Sequence, residues 1–286
     1  MLGRPAPTHQ FTGAAAVVGT NIYLLGGENH TTVLGENDVY DTLTNKWSRA
    51  RPMPTKRATL AAVALNGLVY AIGGSTFTGV PLATVEAYDP MTNRWTTKAS
   101  LPTAVDSMTA TVENGFIYVV GGFNNSNGQP FGGVQVYDPT GDAWTSVAPL
   151  NVAKSFAFTT AVGTQIVAAA GSIGTGPTTD NELYDPTSNL WTTKSNALSA
   201  RYAGCVGAIG GSLYAAAGLR FTPIRSASRE LDRYDVAGDH WTTLRRMPFG
   251  VLGPASAVVN GRLYCIGGSP RLGQPVFSGR VQIYQP

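Results

Sequence analysis

ALNGLVYAIGG, residues 64–74, sets two glycines directly behind the strand-like run LVYAI. The stretches VENGFIYVVGG at 112–122 and VVNGRLYCIGG at 258–268 say nearly the same thing. A segment that recurs in this form is the mark of a repeat architecture, and the period decides the fold before any single element does.

Stacked on the glycine pair, the chain gives Gly26-Gly27, Gly73-Gly74, Gly121-Gly122, Ala170-Gly171, Ala217-Gly218 and Gly267-Gly268, spaced by 47, 48, 49, 47 and 50 residues. A tyrosine keeps the same register at Tyr40, Tyr88, Tyr137, Tyr184, Tyr234 and Tyr284. Seven residues beyond the first five of these stand Trp47, Trp95, Trp144, Trp191 and Trp241, which are all the tryptophans in the chain.

The three markers together, Gly-Gly after an apolar strand, Tyr-Asp-Pro, then a Trp-led strand, resemble the Kelch repeat. The resemblance spans essentially the whole chain and implies a β-propeller in which each repeat supplies one four-stranded blade. The sequence departs locally, with Ala170 and Ala217 for the first glycine and with Thr42 and Val236 where other repeats carry Pro90, Pro139 and Pro186.

The residues reach the same architecture without the name. Each period holds four short apolar or alternating runs, such as TLAAVA, LVYAI, TVEAYD and WTTKA in the second repeat, and no segment sustains a helical period. Asn66-Gly67, Asn114-Gly115 and Asn260-Gly261 are pairs favoured at two-residue hairpin turns, because both residues tolerate positive φ. The glycine pair lets the backbone take positive φ and come close to neighbouring backbone as the chain leaves the crowded inner part of a blade. The Tyr and Trp markers read as fillers between sheets, each with a polar atom able to find a partner.

The expected fold is therefore all-β, a six-bladed β-propeller with four antiparallel strands per blade. It is one domain over 1–286, with repeats at about 8–54, 55–102, 103–150, 151–198, 199–248 and 249–286, and closure by residues 1–7. Arg4-Pro5-Ala6-Pro7 matches Arg51-Pro52-Met53-Pro54, which follows the first tryptophan, so Met1 to Arg4 is expected to pair as a partial outer strand on the last blade.

Composition bounds the partners. Charged residues are 13 % and the formal net charge is +3, too weak and too dispersed for nucleic acid. No run of 18 apolar residues exists and MLGRPAPTHQ lacks the apolar region of a secretory signal, so a soluble monomer is expected, with the compartment unassigned. Cys205 and Cys265 fall on strands of different blades and are expected to be buried free thiols.

Function is sought on the face where the long connections emerge, ENHTTVLGEN, STFTGVPLAT, FNNSNGQPFGG, SIGTGPTTDN, LRFTPIRSASRE and SPRLGQPVFSGR. Phe11, Phe77, Phe123, Phe131, Phe156, Phe221, Phe249 and Phe277, with Tyr202, lie in or beside these loops. Such aromatics either stack on sugars or anchor a peptide, or they form small cores for the loops themselves. Arg57, Lys154 and Arg201 share one repeat position at the start of the first strand, and Arg220, Arg225, Arg229, Arg271 and Arg280 gather in repeats five and six. In some protein-binding Kelch relatives that first arginine faces the ligand mouth; solvated surface charge is the other reading. The arginines predict an electropositive side suited to a carboxylate ligand.

Enzyme signatures are sparse. Copper radical oxidases among Kelch-like propellers need two histidines, two tyrosines and a cysteine bonded to a tyrosine, whereas this chain has His9, His30 and His240, and neither cysteine lies in a mouth loop. Other Kelch-like propellers isomerise sialic acid, for which Glu28, Glu36, Arg57, Arg201 and Arg225 are available without a motif that singles them out. The sequence therefore predicts a non-catalytic binding module for a protein segment or glycan, an acidic one favoured. Its candidate contacts are Arg57, Phe77, Phe123, Lys154, Phe156, Arg201, Tyr202, Arg220, Phe221, Arg225 and Phe277, with no metal, cofactor or catalytic residue assigned. A carbohydrate-active enzyme of the sialate-isomerase kind is the alternative.

Overall fold

The computed structural model describes all residues except 30, 126–127, 222–225 and 272–276. Six four-stranded antiparallel sheets form the blades of a propeller, and among the described residues there is no helix. Strand one of each blade, Ala14–Val18, Ala61–Leu65, Thr109–Glu113, Phe158–Val162, Cys205–Ile209 and Ala255–Val259, lies innermost. The Asn66-Gly67 turn has φ of 52° and 77°, the paired left-handed geometry that matches strand twist in a tight hairpin. The sixth blade is completed by the start of the chain: Leu2–Gly3 pairs antiparallel with Val281–Tyr284, Leu2 opposite Gln282. The core lies between blades, as where Tyr70, Ile72 and Val85 of blade two meet Ile117, Val119 and Tyr137 of blade three.

The inner rim is tied by backbone alone. Thr12, Thr59, Ser107, Phe156, Ala203 and Gly253 each donate their N–H to the carbonyl of the equivalent residue in the preceding blade, at 2.7–3.1 Å, and Thr12 closes the circle onto Gly253. All six have φ between 50° and 61°. A second circle lies beside it, in which the second residue of each glycine pair donates to the next blade: Gly74 to the Val105 carbonyl at 3.0 Å, Gly122 to Lys154 at 3.1 Å. This explains the pair. A Cβ on Gly73 would stand 2.6 Å from the Val105 carbonyl, and one on Gly74 would stand 2.6 Å from that of Ala58.

A polar layer sits next to these rings. Arg57 is fully buried and meets Glu86 at 2.6 Å, Arg201 meets Asp232 at 2.6 Å, and Lys154 pairs with Asp180 and, at 2.9 Å, with Glu182. Each arginine also donates to a carbonyl of strand two, Arg57 to Ala71 and Arg201 to Ala215. Burial lowers the pKa of both arginines. The chain carries its own control: at the same two positions blades three and six have Val105 with Gln135 and Val251 with Gln282. Blade one keeps the acid, Asp38, with Gln10 at the repeat position of the cation, and an outer-strand arginine, Arg49, approaches that carboxylate at 3.6 Å.

The outer ends of the blades are held by the Tyr and Trp markers. Tyr88 donates to Asn93, the Asn93 Oδ1 also accepts from the Arg51 N–H, and Trp95 Nε1 donates to the Arg51 carbonyl at 2.8 Å. The backbone N–H and C=O of one residue of the preceding blade are thus both held. The same clamp recurs at Trp47 on Arg4, Trp144 on Ala99, Trp191 on Ala148 and Trp241 on Ser195. At the seam between blades five and six Cys205 and Cys265 are joined by a disulfide across 5.7 Å between Cα atoms. The expectation of free thiols is thereby corrected. The blades stack face to face, so strand one of blade five meets strand two of blade six at bonding distance.

Two outcomes follow for urea unfolding. Arg57→Ala strands the buried Glu86 carboxylate and should cost about 3–5 kcal/mol, whereas Arg57→Val with Glu86→Gln, copying blades three and six, should recover most of that loss. Replacing both Cys205 and Cys265 by Ser should cost about 2–4 kcal/mol, and a reductant should lower the urea midpoint of the wild type but not of that variant.

Candidate functional site at the channel mouth

The inner strands surround an axial channel of about 420 Å³, lined mainly by alanine, threonine, valine and glycine. Small side chains are what six converging strands admit near the axis. The left-handed rim residues Thr12, Thr59, Ser107, Phe156, Ala203 and Gly253 border the channel at the end from which the long loops rise. Just outside the rim, Phe11 bridges to Glu28, Ala58 to Ser75, Asp106 to Phe123, Ser155 to Ser172, Tyr202 to Leu219 and Leu252 to Ser269.

The collar divides chemically. Blades one to three contribute Glu28, Thr12, Thr59, Ser75, Asp106 and Ser107; Thr59 and Ser75 share a hydrogen bond of 2.8 Å, and Ser107 donates to Asp106. Burial raises the carboxyl pKa of both Glu28 and Asp106 above the usual range. Blades four and five contribute aromatics in sequence, with Phe156 and Tyr202 centred 6.0 Å apart and Tyr202 and Phe221 6.1 Å apart. Phe11 stacks flat on Phe277 at 5.7 Å where blades one and six meet.

The structure redistributes the residues anticipated from sequence. Phe156, Tyr202, Phe221 and Phe277 come together around the mouth; Phe123 stands on the collar beside Asp106, and Phe77 projects from its loop 54 % exposed. Arg57, Lys154 and Arg201 are corrected: they lie 0–2 % exposed in the ion pairs described above, where no ligand reaches them. Arg220 is paired with Glu230 at 3.1 Å, Arg280 lies over the Phe249 ring at 4.1 Å, and Arg229 donates to the Met247 carbonyl. Arg271 is exposed, and Arg225 and His30 lie outside the described residues. Of the arginines expected to make the mouth electropositive, Arg57, Arg201 and Arg220 are thus engaged in ion pairs. Phe131 packs on the core between blades two and three. Asp106, which the repeat spacing had not singled out, was legible only as the acidic member of an otherwise small or apolar series, Phe11, Ala58, Ser155, Tyr202 and Leu252. Among the described residues no group of three or more His, Cys, Asp or Glu side chains is placed to hold a metal ion.

Six four-stranded blades around a channel define a β-propeller. The Kelch motif matches at residues 13–54, 56–102, 108–151 and 200–248, more than half of the chain, and the chain belongs to that family. Among solved structures the one titled "Structure of YjhT" is similar over 98 % of this chain and 95 % of that one, at 18 % identity and a TM-score of 0.82, a likeness of fold. No curated protein sequence matches.

Because the folded state holds the Asp106 proton more tightly than the unfolded chain, stability falls as pH rises from the ordinary Asp value through the raised one. Asp106→Asn removes that loss. The melting temperature of the variant minus that of the wild type should be near zero at pH 4 and positive at pH 7.

Proposed function

We propose that the chain is a non-catalytic binding module that takes a neutral glycan at the channel mouth. The supporting observation is the division of the collar. An aromatic arc from Phe156 through Tyr202 to Phe221 is suited to the apolar face of a sugar ring. The hydroxyls and carboxyls of Thr59, Ser75, Asp106 and Ser107 are suited to its hydroxyls. A neutral ligand is favoured over an acidic one by the two carboxyls that border the mouth and by the use of Arg57, Arg201 and Arg220 in ion pairs.

In a titration against neutral oligosaccharides, Tyr202→Ala and Phe156→Ala should each weaken binding by about 1 kcal/mol or more with little change in melting temperature. Loss of folding with unchanged affinity per folded molecule would make these rings loop core instead. Preference for an acidic peptide would move the protein-segment reading forward. A second reading, acid/base chemistry on a sugar, is supported by the raised carboxyls of Glu28 and Asp106. Exchange of sugar anomers by the purified chain, abolished in Glu28→Gln, would put it first.

A further inference from the structure

We infer that blade one binds a calcium ion at the place where blades two, four and five carry a built-in cation, with Glu36 and Asp38 as its acidic ligands. The equivalence of these places is structural. The carbonyls of Gln10, Arg57, Val105, Lys154, Arg201 and Val251 each accept from the second residue of the glycine pair in the preceding blade. Where strand three carries an acid facing this position, the position holds a cation: Arg57 with Glu86, Lys154 with Glu182 and Arg201 with Asp232. Where the acid is replaced by Gln135 or Gln282, the position is Val105 or Val251. Blade one departs from both solutions. It keeps the acid, Asp38, but sets against it Gln10, which is uncharged and shorter than lysine or arginine.

Blade four shows what these acids otherwise receive. The Lys154 ammonium meets both Asp180 and Glu182 and donates to the Ala168 carbonyl at 3.4 Å. Glu36 and Asp38 repeat that acid pair: the Glu36 carbonyl accepts from Gly26 as that of Asp180 does from Ala170, and Asp38 stands opposite Leu24 as Glu182 stands opposite Ala168. Asp38 is 1 % exposed and Gln10 2 %. Among the described residues, neither amide atom of Gln10, neither carboxylate oxygen of Asp38 and not the Oε2 of Glu36 has a hydrogen-bond partner. Thr8 comes close to the Asp38 carboxylate, and its Oγ1 is likewise buried and unbonded. Arg49 approaches Asp38 from the outer strand at 3.6 Å, but its side chain is 70 % exposed. Buried acids held in this way call for a counter-charge among them.

The chemistry of the donors selects the ion. Two carboxylates, the Gln10 amide oxygen, the Thr8 hydroxyl and the Leu24 carbonyl are all oxygen, with no imidazole or thiolate, a set that suits a hard cation and calcium in particular, whose coordination is large and adaptable. The two acids outweigh the single exposed arginine, which favours a divalent ion over a monovalent one. With neutral oxygens completing the shell, the site does not require a third acidic or histidine ligand. The ion would do for blade one what the Lys154 ammonium does for blade four, joining strand three to the segment from Thr8 to Gln10.

The test uses the intact 286-residue chain dialysed against a chelator, with calcium chloride, magnesium chloride and sodium chloride as probes at matched ionic strength. Millimolar calcium should raise the melting temperature, since an ion bound to the folded chain stabilises it, and calorimetry should show a single site. Asp38→Asn should weaken calcium binding by about tenfold or more. Gln10→Lys, which copies blade four, should melt higher than the wild type in chelator and no longer respond to calcium. Absence of any calcium-dependent rise in the wild type would overturn the proposal, and so would an undiminished calcium response in Gln10→Lys or Asp38→Asn, which would put the ion elsewhere. Stabilisation by sodium or magnesium and not by calcium would overturn calcium as the occupant.

Discussion

Six backbone hydrogen bonds close on themselves around the channel, and the rest of the molecule is arranged so that they form. Each needs a residue at positive φ where strand one begins, and five of the six are not glycine. A non-glycine residue held there costs on the order of 1–3 kcal/mol, so the conformation persists only because the surroundings over-determine it. Closure supplies that: the bond from Thr12 to Gly253 joins the first blade to the last and exists only if all the intervening blades stand at the correct angle. The glycine pairs belong to the same constraint, because the second circle brings a neighbouring carbonyl where a side chain would otherwise stand.

Going outward from the axis, the means of joining blades change with the space available. Near the rim only backbone fits. A little further out the cations of blades two, four and five reach the carbonyls of strand two, and buried carboxylates meet them; the Val and Gln pairs of blades three and six show that the fold accepts an uncharged solution at the same place. At the outer ends, a tryptophan and an Asn or Asp together hold the backbone C=O and N–H of a single residue. Burial drives the tyrosine hydroxyls of this layer upward, Tyr184 to about 12, so they remain donors to Asn and Asp across the whole accessible pH range. The seam between blades five and six adds a covalent bond, Cys205–Cys265, to this pattern.

The mouth inherits its character from the rim. Residues fixed at positive φ hold Thr59, Ser107 and Phe156 in set directions, so hydroxyls fall to one side and aromatic rings to the other without long loops having to place them. A rigid frame that orients a few polar groups beside apolar surface is the usual basis of selective small-ligand binding. The cations that repeat position had suggested for this face are used beneath it instead, where they support the frame.

The fold was legible in the sequence because each repeat must present the same contacts to its neighbour. The glycine pair, the tyrosine and the tryptophan recur at one period since each touches an equivalent part of the next blade, and a recurring contact leaves a recurring residue. The aromatic part of the mouth, Phe156, Tyr202, Phe221 and Phe277, was also visible as loop composition. What only the tertiary structure decided depends on direction and on the meeting of distant segments. Arg57, Lys154 and Arg201 start the first strand in every reading, but whether they point to solvent or inward follows from Glu86, Glu182 and Asp232 arriving on strand three. Cys205 and Cys265 lie 60 residues apart, and their bond depends on the stagger of two stacked sheets, which no local spacing encodes. Period is a property of the chain, while burial and pairing belong to the closed ring.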